Sequence, residues 1–152
     1  MEADTMFKKI LMAHDSSLCG WKAFEVALDL AKKYGAKLYV VHAVDTTAIP
    51  DIPHKDVLVK PLLERAEKLK GEVEEKLKEA GVEGEFIVVH DNPVNAIVKK
   101  AEDLDVDLVV MGARGAGPVG GYLLGSVSTR VLLTCNRSVL VVKGKAPAAS
   151  KL

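Results

Sequence analysis

The feature that most constrains this chain is an alternation of two periodicities. Short apolar runs stand at Phe7–Ala13, Lys37–Val44, Glu85–His90, Leu108–Met111 and Ser138–Val142. Continuous apolar runs of that length read as strands buried on both faces. Between them lie segments of helical period. The first sets Trp21, Phe24, Leu28 and Ala31 on one stripe and stops at Tyr34-Gly35, a C-terminal signal. The second, from about Val57 to Ala80, turns Leu62, Ala66, Leu69, Val73, Leu77 and Ala80 inward and leaves a Glu/Lys face to solvent. The third opens on Asn92-Pro93, an N-cap followed by Pro at the first helical position, and buries Ile97, Ala101 and Leu104. The last, roughly Gly125 to Cys135, buries Val127, Val131 and Leu132. Strands joined by crossover helices predict an α/β fold with a parallel sheet covered on both faces.

The length of 152 residues suits one domain with a real core. No internal boundary or repeat interrupts it; the one long irregular stretch, Asp45–Asp56, holds Pro50 and Pro53 and reads as a crossover connection. With 49% apolar and 28% charged residues, disorder and collagen-like or disulfide-dense scaffolds are excluded. No apolar run approaches the roughly 20 residues a membrane helix needs, and Met1 to Phe7 lacks the layout of a signal peptide. Two cysteines, Cys19 and Cys135, in no metal or redox spacing, suit a reducing compartment. The expectation is a cytoplasmic protein. Lys+Arg 21 against Asp+Glu 21 argues against a nucleic-acid binder. That balance hides an asymmetry: no acidic residue follows Asp107, while Arg114, Arg130, Arg137, Lys143, Lys145 and Lys151 do. A basic segment fits an anionic ligand or a solubilising tail.

In an open parallel sheet, ligands bind outside the carboxyl ends of the strands where the strand order reverses. The first run ends at Ala13-His14-Asp15-Ser16-Ser17 and the fourth at Met111-Gly112. After the fourth come Gly112, Gly115, Gly117, Gly120 and Gly121, and then Gly125-Ser126-Val127-Ser128 where the last helix begins. Glycines let backbone amides approach an anion, a helix N-terminus adds free N–H groups, and the hydroxyls of Ser126 and Ser128 add donors. The pattern is neither a Walker A loop nor a dinucleotide fingerprint. On spacing alone it reads as a phosphate site or as a connection.

The spacing Gly112-x2-Gly115-x9-Gly125-Ser126 resembles the nucleotide-binding signature of the universal stress protein family. The likeness extends through Ile10–Ser17, Ala31–His42 and Ser138–Val142, about residues 6–144, leaving 145–152 as a flexible tail of the single domain. The resemblance implies a three-layer, Rossmann-like fold of the adenine nucleotide alpha hydrolase type, with a five-stranded parallel sheet of order 3-2-1-4-5. It also implies a homodimer and bound ATP; since ATP normally travels with a divalent cation, Mg or Mn bridging its phosphates is expected. By the same resemblance, Asp15 faces the ribose and adenine, with Ala13 beside it among the cofactor-binding residues, and Val41 meets the adenine edge through its backbone. Met111 and Gly112 line the sugar, Gly115 approaches the phosphates, and Gly125, Ser126, Val127 and Ser128 hold the triphosphate; Arg114, inside the glycine loop, reads either as a phosphate partner or as a solvated side chain. The chain departs from the family pattern at His14, where a small or aliphatic residue is more usual, and at Gly120-Gly121.

Each of these residues also has a plainer reading. Asp15 reads equally as a helix cap with Ser16 and Ser17, and His42 and His90 as histidines bonded to backbone. No two histidines share a metal-ligand spacing, and no Ser-His-Asp arrangement fixes a nucleophile. The leading expectation is a dimeric, ATP-binding regulatory module, paired through Ser138–Val142, an apolar run without edge-blunting charge or proline. The alternatives are a slow ATPase, slow because no general base or Walker-type acid is in evidence, and a dimeric stress protein that binds no nucleotide.

Overall fold

The computed structural model describes residues 5–47, 49–113 and 124–144. Its elements follow in the order β1 (Lys9–Ala13), α1 (Leu18–Tyr34), β2 (Lys37–Ala43), α2 (Lys55–Ala80), β3 (Gly84–Val89), α3 (Pro93–Asp103), β4 (Leu108–Gly112), α4 (Ser126–Thr134) and β5 (Ser138–Val142). The five strands form one sheet of order β3-β2-β1-β4-β5, parallel throughout. The fold expected from the sequence is the fold observed.

Strand alternation sorts the core into two layers. Ile10, Met12, Leu38, Val40, Leu108 and Val110 face α1 and α2, packing with Phe24, Ala27, Leu69 and Val73. Leu11, Tyr39, Val41, Val109 and Met111 face α3 and α4, packing with Ile97, Ala101 and Val131. Both faces of the central strands are therefore sealed, as a run of consecutive apolar residues demands.

Where elements differ from expectation, local bonding explains it. β1 starts at Lys9 and not at Phe7: the Lys8 and Lys9 amides bind the Asp107 carboxylate at 2.8 and 2.9 Å. Phe7 packs edge-on against Tyr34. β2 and β3 each stop one residue early, although the Val44 amide still reaches the Val89 carbonyl. β3 begins at Gly84, where a Cβ would stand 2.8 Å from the Leu38 carbonyl oxygen. α2 starts at Lys55, ahead of Val57; its first buried residue is Ala66, and Leu62 and Ala80 are only half-buried. In α4 the buried residues are Ser128 and Val131, with Val127 half-buried and Leu132 exposed. α4 is short and packs inward on one narrow stripe, and Leu132 falls a further 100° round the helix.

Arg137, one of the basic residues after Asp107, is already engaged within the protein. Its guanidinium binds Glu102 at 3.0 Å and Asp105 at 2.5 Å, at the start of β5 and hence at the opposite end of the sheet from the strands' carboxyl ends.

Candidate functional site

The strand order reverses between β1 and β4, and a cleft opens outside their carboxyl ends. Its walls are Ala13 of β1, Val41 and Ala43 of β2, Met111 and Gly112 of β4, Pro93 and Ile97 of α3, and Val127 of α4. Asp15, Ser17 and Ser128 add polar groups, and His14 and Gly20 complete the lining. An apolar slot with a few placed polar groups is the usual form of a small-molecule site.

Of the four helices that begin at this end of the sheet, α1, α3 and α4 begin beside the cleft. α1 is capped by Ser17, whose hydroxyl oxygen accepts the Gly20 N–H at 3.0 Å. α3 is capped by Asn92, whose side-chain carbonyl oxygen accepts the Asn95 N–H at 2.9 Å. α4 starts after Gly125, whose amide donates to the Ala113 carbonyl at 2.9 Å while the Ala113 amide donates to the Val142 carbonyl. None of the three first turns contains an acidic residue. Asp15 and Asp91 bond the cap amides of α1 and α3, whereas no side chain caps α4, whose free N–H groups and positive dipole end favour an anion.

The β1–α1 turn is built by its own side chains. Ser16 has φ 68°, the left-handed region. The Asp15 carboxylate accepts the Ser17 amide at 3.0 Å and the Ser17 hydroxyl at 2.5 Å. Ser17, not Asp15, is the helix cap; Asp15 holds the cap in place. His14 is buried, and burial drives its imidazole from 6.5 down to about 4, with the Asp15 carboxylate pulling upward and His42 downward.

Of the residues expected from the sequence, Ala13, Asp15, Val41, Met111, Gly112, Val127 and Ser128 all line the cleft. Gly125 and Ser126 sit at the start of α4 but do not line it. Arg114 and Gly115, like Gly117, Gly120 and Gly121, lie outside the described residues. Two of the expected residues are bonded within the fold. The Ser128 hydroxyl donates back to the Gly125 carbonyl at 3.1 Å. The Val41 carbonyl accepts the His14 amide at 2.9 Å, which places its backbone inside the sheet. Ala43 stands two residues past the last β1 pairing, Ala13 with Val41, and it lines the cleft. Sequence reasoning missed Ser17, Gly20, Ala43, Pro93 and Ile97 as lining. The period of two from Val41 pointed to Ala43, and a glycine in the first turn of α1 pointed to a close approach. Among the described residues no group of three His, Cys, Asp or Glu side chains is placed to hold a metal ion, and no helix is long and apolar enough to cross a membrane.

Fold and cleft together define a doubly wound α/β protein of the Rossmann-like class with a cleft at the switch point. Residues 6–143 match the model of the universal stress protein family. The chain belongs to that family. It is 39% identical over 142 residues to the universal stress protein in the QAH/OAS sulfhydrylase 3′ region of Thermus aquaticus, covering 91% of this chain and 100% of the relative. It is 33% identical over 148 residues to universal stress protein YxiE of Bacillus subtilis, covering 91% and 100%. Among solved structures, MJ0577 superposes with TM-score 0.79 at 32% identity over 93% of this chain and 99% of that one. MJ0577 is a universal stress protein of Methanocaldococcus jannaschii. A universal stress protein in complex with cAMP superposes with TM-score 0.73 at 26% identity, covering 93% and 100%.

Proposed function

We propose that this protein is a regulatory module that binds ATP in the β1–β4 cleft, with Mg or Mn carried on the phosphates, and that it works as a homodimer paired through β5. The observation that carries the reading is the cleft itself: an apolar slot of Ala13, Val41, Ala43, Ile97 and Met111, beside which α4 begins with no side-chain cap. A flat base matches the slot, and a polyanionic tail matches the dipole end of α4. The relative in complex with cAMP supports an adenine nucleotide as the ligand class. In this reading the Ala43 backbone, not that of Val41, meets the base edge, and Asp15 faces the ribose. Gly125 and Ser126 meet the tail, joined by Arg114 and Gly115, which lie outside the described residues.

Calorimetric titration with ATP, ADP, AMP and cAMP tests the proposal. ATP should bind most tightly, because the tail supplies part of the affinity. Ile97→Trp, which fills the slot from α3, should weaken ATP binding by about tenfold or more while the protein stays folded, the equivalent of losing roughly 1.4 kcal/mol. Undiminished ATP binding by a folded Ile97→Trp protein would place the nucleotide elsewhere.

A further inference from the structure

His14 lines the cleft, is 2% exposed, and turns its ring into the packing under α1. The ring meets Trp21 edge-on at 4.4 Å between centroids and lies 6.1 Å from Phe24. β2 holds its main chain twice: the His14 amide donates to the Val41 carbonyl at 2.9 Å, and His42 Nδ1 donates to the His14 carbonyl at 2.8 Å. Gly20 makes room for it, since a Cβ there would stand 2.9 Å from His14 Nδ1 and 2.8 Å from the Asp15 carboxylate.

The ring nitrogens are used unequally. Nδ1 accepts the Ser16 amide at 3.0 Å, whereas Nε2 is buried without a hydrogen-bond partner. A ring nitrogen that accepts an N–H carries no proton, so the proton of the neutral ring is on Nε2. Leaving Nε2 unsatisfied costs free energy, and the hydrogen bond from Ser16 to Nδ1 is what this ring orientation secures. Ser16 has the left-handed φ of 68° that serine seldom adopts, and the next peptide sets Ser17 on Asp15. The turn that brings Asp15 and Ser17 to the cleft is thus held at Ser16 by one imidazole nitrogen and at Ser17 by the Asp15 carboxylate.

We infer that His14 is a positioning residue of the cleft, its unprotonated Nδ1 fixing Ser16 in the left-handed conformation and thereby setting where Asp15 and Ser17 stand against a nucleotide. The inference rests on reading the cleft as a nucleotide site.

Two variants separate positioning from packing. His14→Asn keeps an acceptor close to the place of Nδ1 but leaves a smaller body; His14→Leu fills the space and offers no acceptor. With MgATP as the probe, His14→Asn should bind within about twofold of the unaltered protein and His14→Leu about tenfold more weakly, the scale of one lost hydrogen bond. Melting temperatures should run the other way, with the better filled Leu variant the more stable. Affinity that follows melting temperature, and not the acceptor, overturns the inference. Nitrogen-15 NMR of the unliganded, unaltered protein decides the same point without nucleotide. The proton should be found on Nε2 of His14, and the Ser16 amide should be protected from exchange. A proton on Nδ1, or an unprotected Ser16 amide, overturns the inference. If the unaltered protein binds no adenine nucleotide, the functional reading fails, and the NMR result alone decides whether His14 holds the turn.

Discussion

At the scale of single residues, the histidine at the end of β1 is the clearest case of a side chain whose environment fixes its protonation. Burial is the larger cause of its fall from 6.5 to about 4, and the neighbouring Asp15 carboxylate offsets only part of it. The consequence for stability has a definite sign. Well above pH 6.5 both folded and unfolded chains hold the imidazole neutral. As the pH drops from 6.5 towards 4 the unfolded chain takes up a proton that the folded chain refuses. Stability is therefore present in full above 6.5 and lost through that window, by about 3 kcal/mol in all. Urea unfolding at pH 7.5, 5.5 and 4.5 should show the decline, and His14→Asn should remove this part of it. Parallel pH profiles for the two proteins would mean that other groups carry the acid sensitivity. In the sequence, His14 is visible only as an oddity beside Asp15. Its burial depends on Trp21 and Phe24 arriving from α1 and on Gly20 leaving space, and none of these contacts is coded within the run Ala13–Ser17 itself.

At the scale of elements, the apolar alternation made all five strands and four helices legible, because a strand sealed on both faces must be continuously apolar and a crossover helix must be amphipathic. The ends were less legible. The start of β1 depends on Asp107, nearly a hundred positions away, and the exposed face of α4 depends on how narrowly it packs. The glycine signature was legible as a pattern but only partly as a cause. Gly112 reads in the sequence as making room for a ligand, and it does line the cleft. Its lack of a side chain is also required by the approach of α1 to β4: a Cβ at this position would lie 2.9 Å from the Cys19 carbonyl oxygen and 3.0 Å from the Cys19 Cβ. Backbone on the opposing side yields poorly, so Gly112→Ala should cost about 1–3 kcal/mol, the range for overpacking. Urea denaturation of the unliganded variant measures this. Stability equal to that of the unaltered protein would show that α1 slides away freely and that the glycine serves the ligand alone.

At the scale of the whole molecule, the sheet ends on one side in β3 and on the other in β5. β5 pairs with β4 along one edge, from Leu108 with Ser138 to Gly112 with Val142. Val139, Leu140 and Val141 are left half-buried, and Leu132 and Leu133 of α4 are exposed at 41% and 80%. An apolar strand edge without lysine or proline invites pairing, and pairing with a second copy across a two-fold axis is antiparallel and self-complementary. The proposed homodimer follows from this edge, whereas the cleft, built from β1, β2, β4, α1, α3 and α4, opens at the strands' carboxyl ends. Assembly and binding should therefore be separable. Val141→Lys places a charge on the edge strand beside Met111, where it discourages a second β5 from docking. Light scattering at micromolar concentration should give twice the chain mass for the unaltered protein and the single-chain mass for Val141→Lys, with circular dichroism unchanged between them. ATP affinity of the variant should stay within about threefold, a difference below 1 kcal/mol. An unaltered protein that is monomeric under these conditions would sink the β5 pairing, and a dimer that survives Val141→Lys would move the interface to another face.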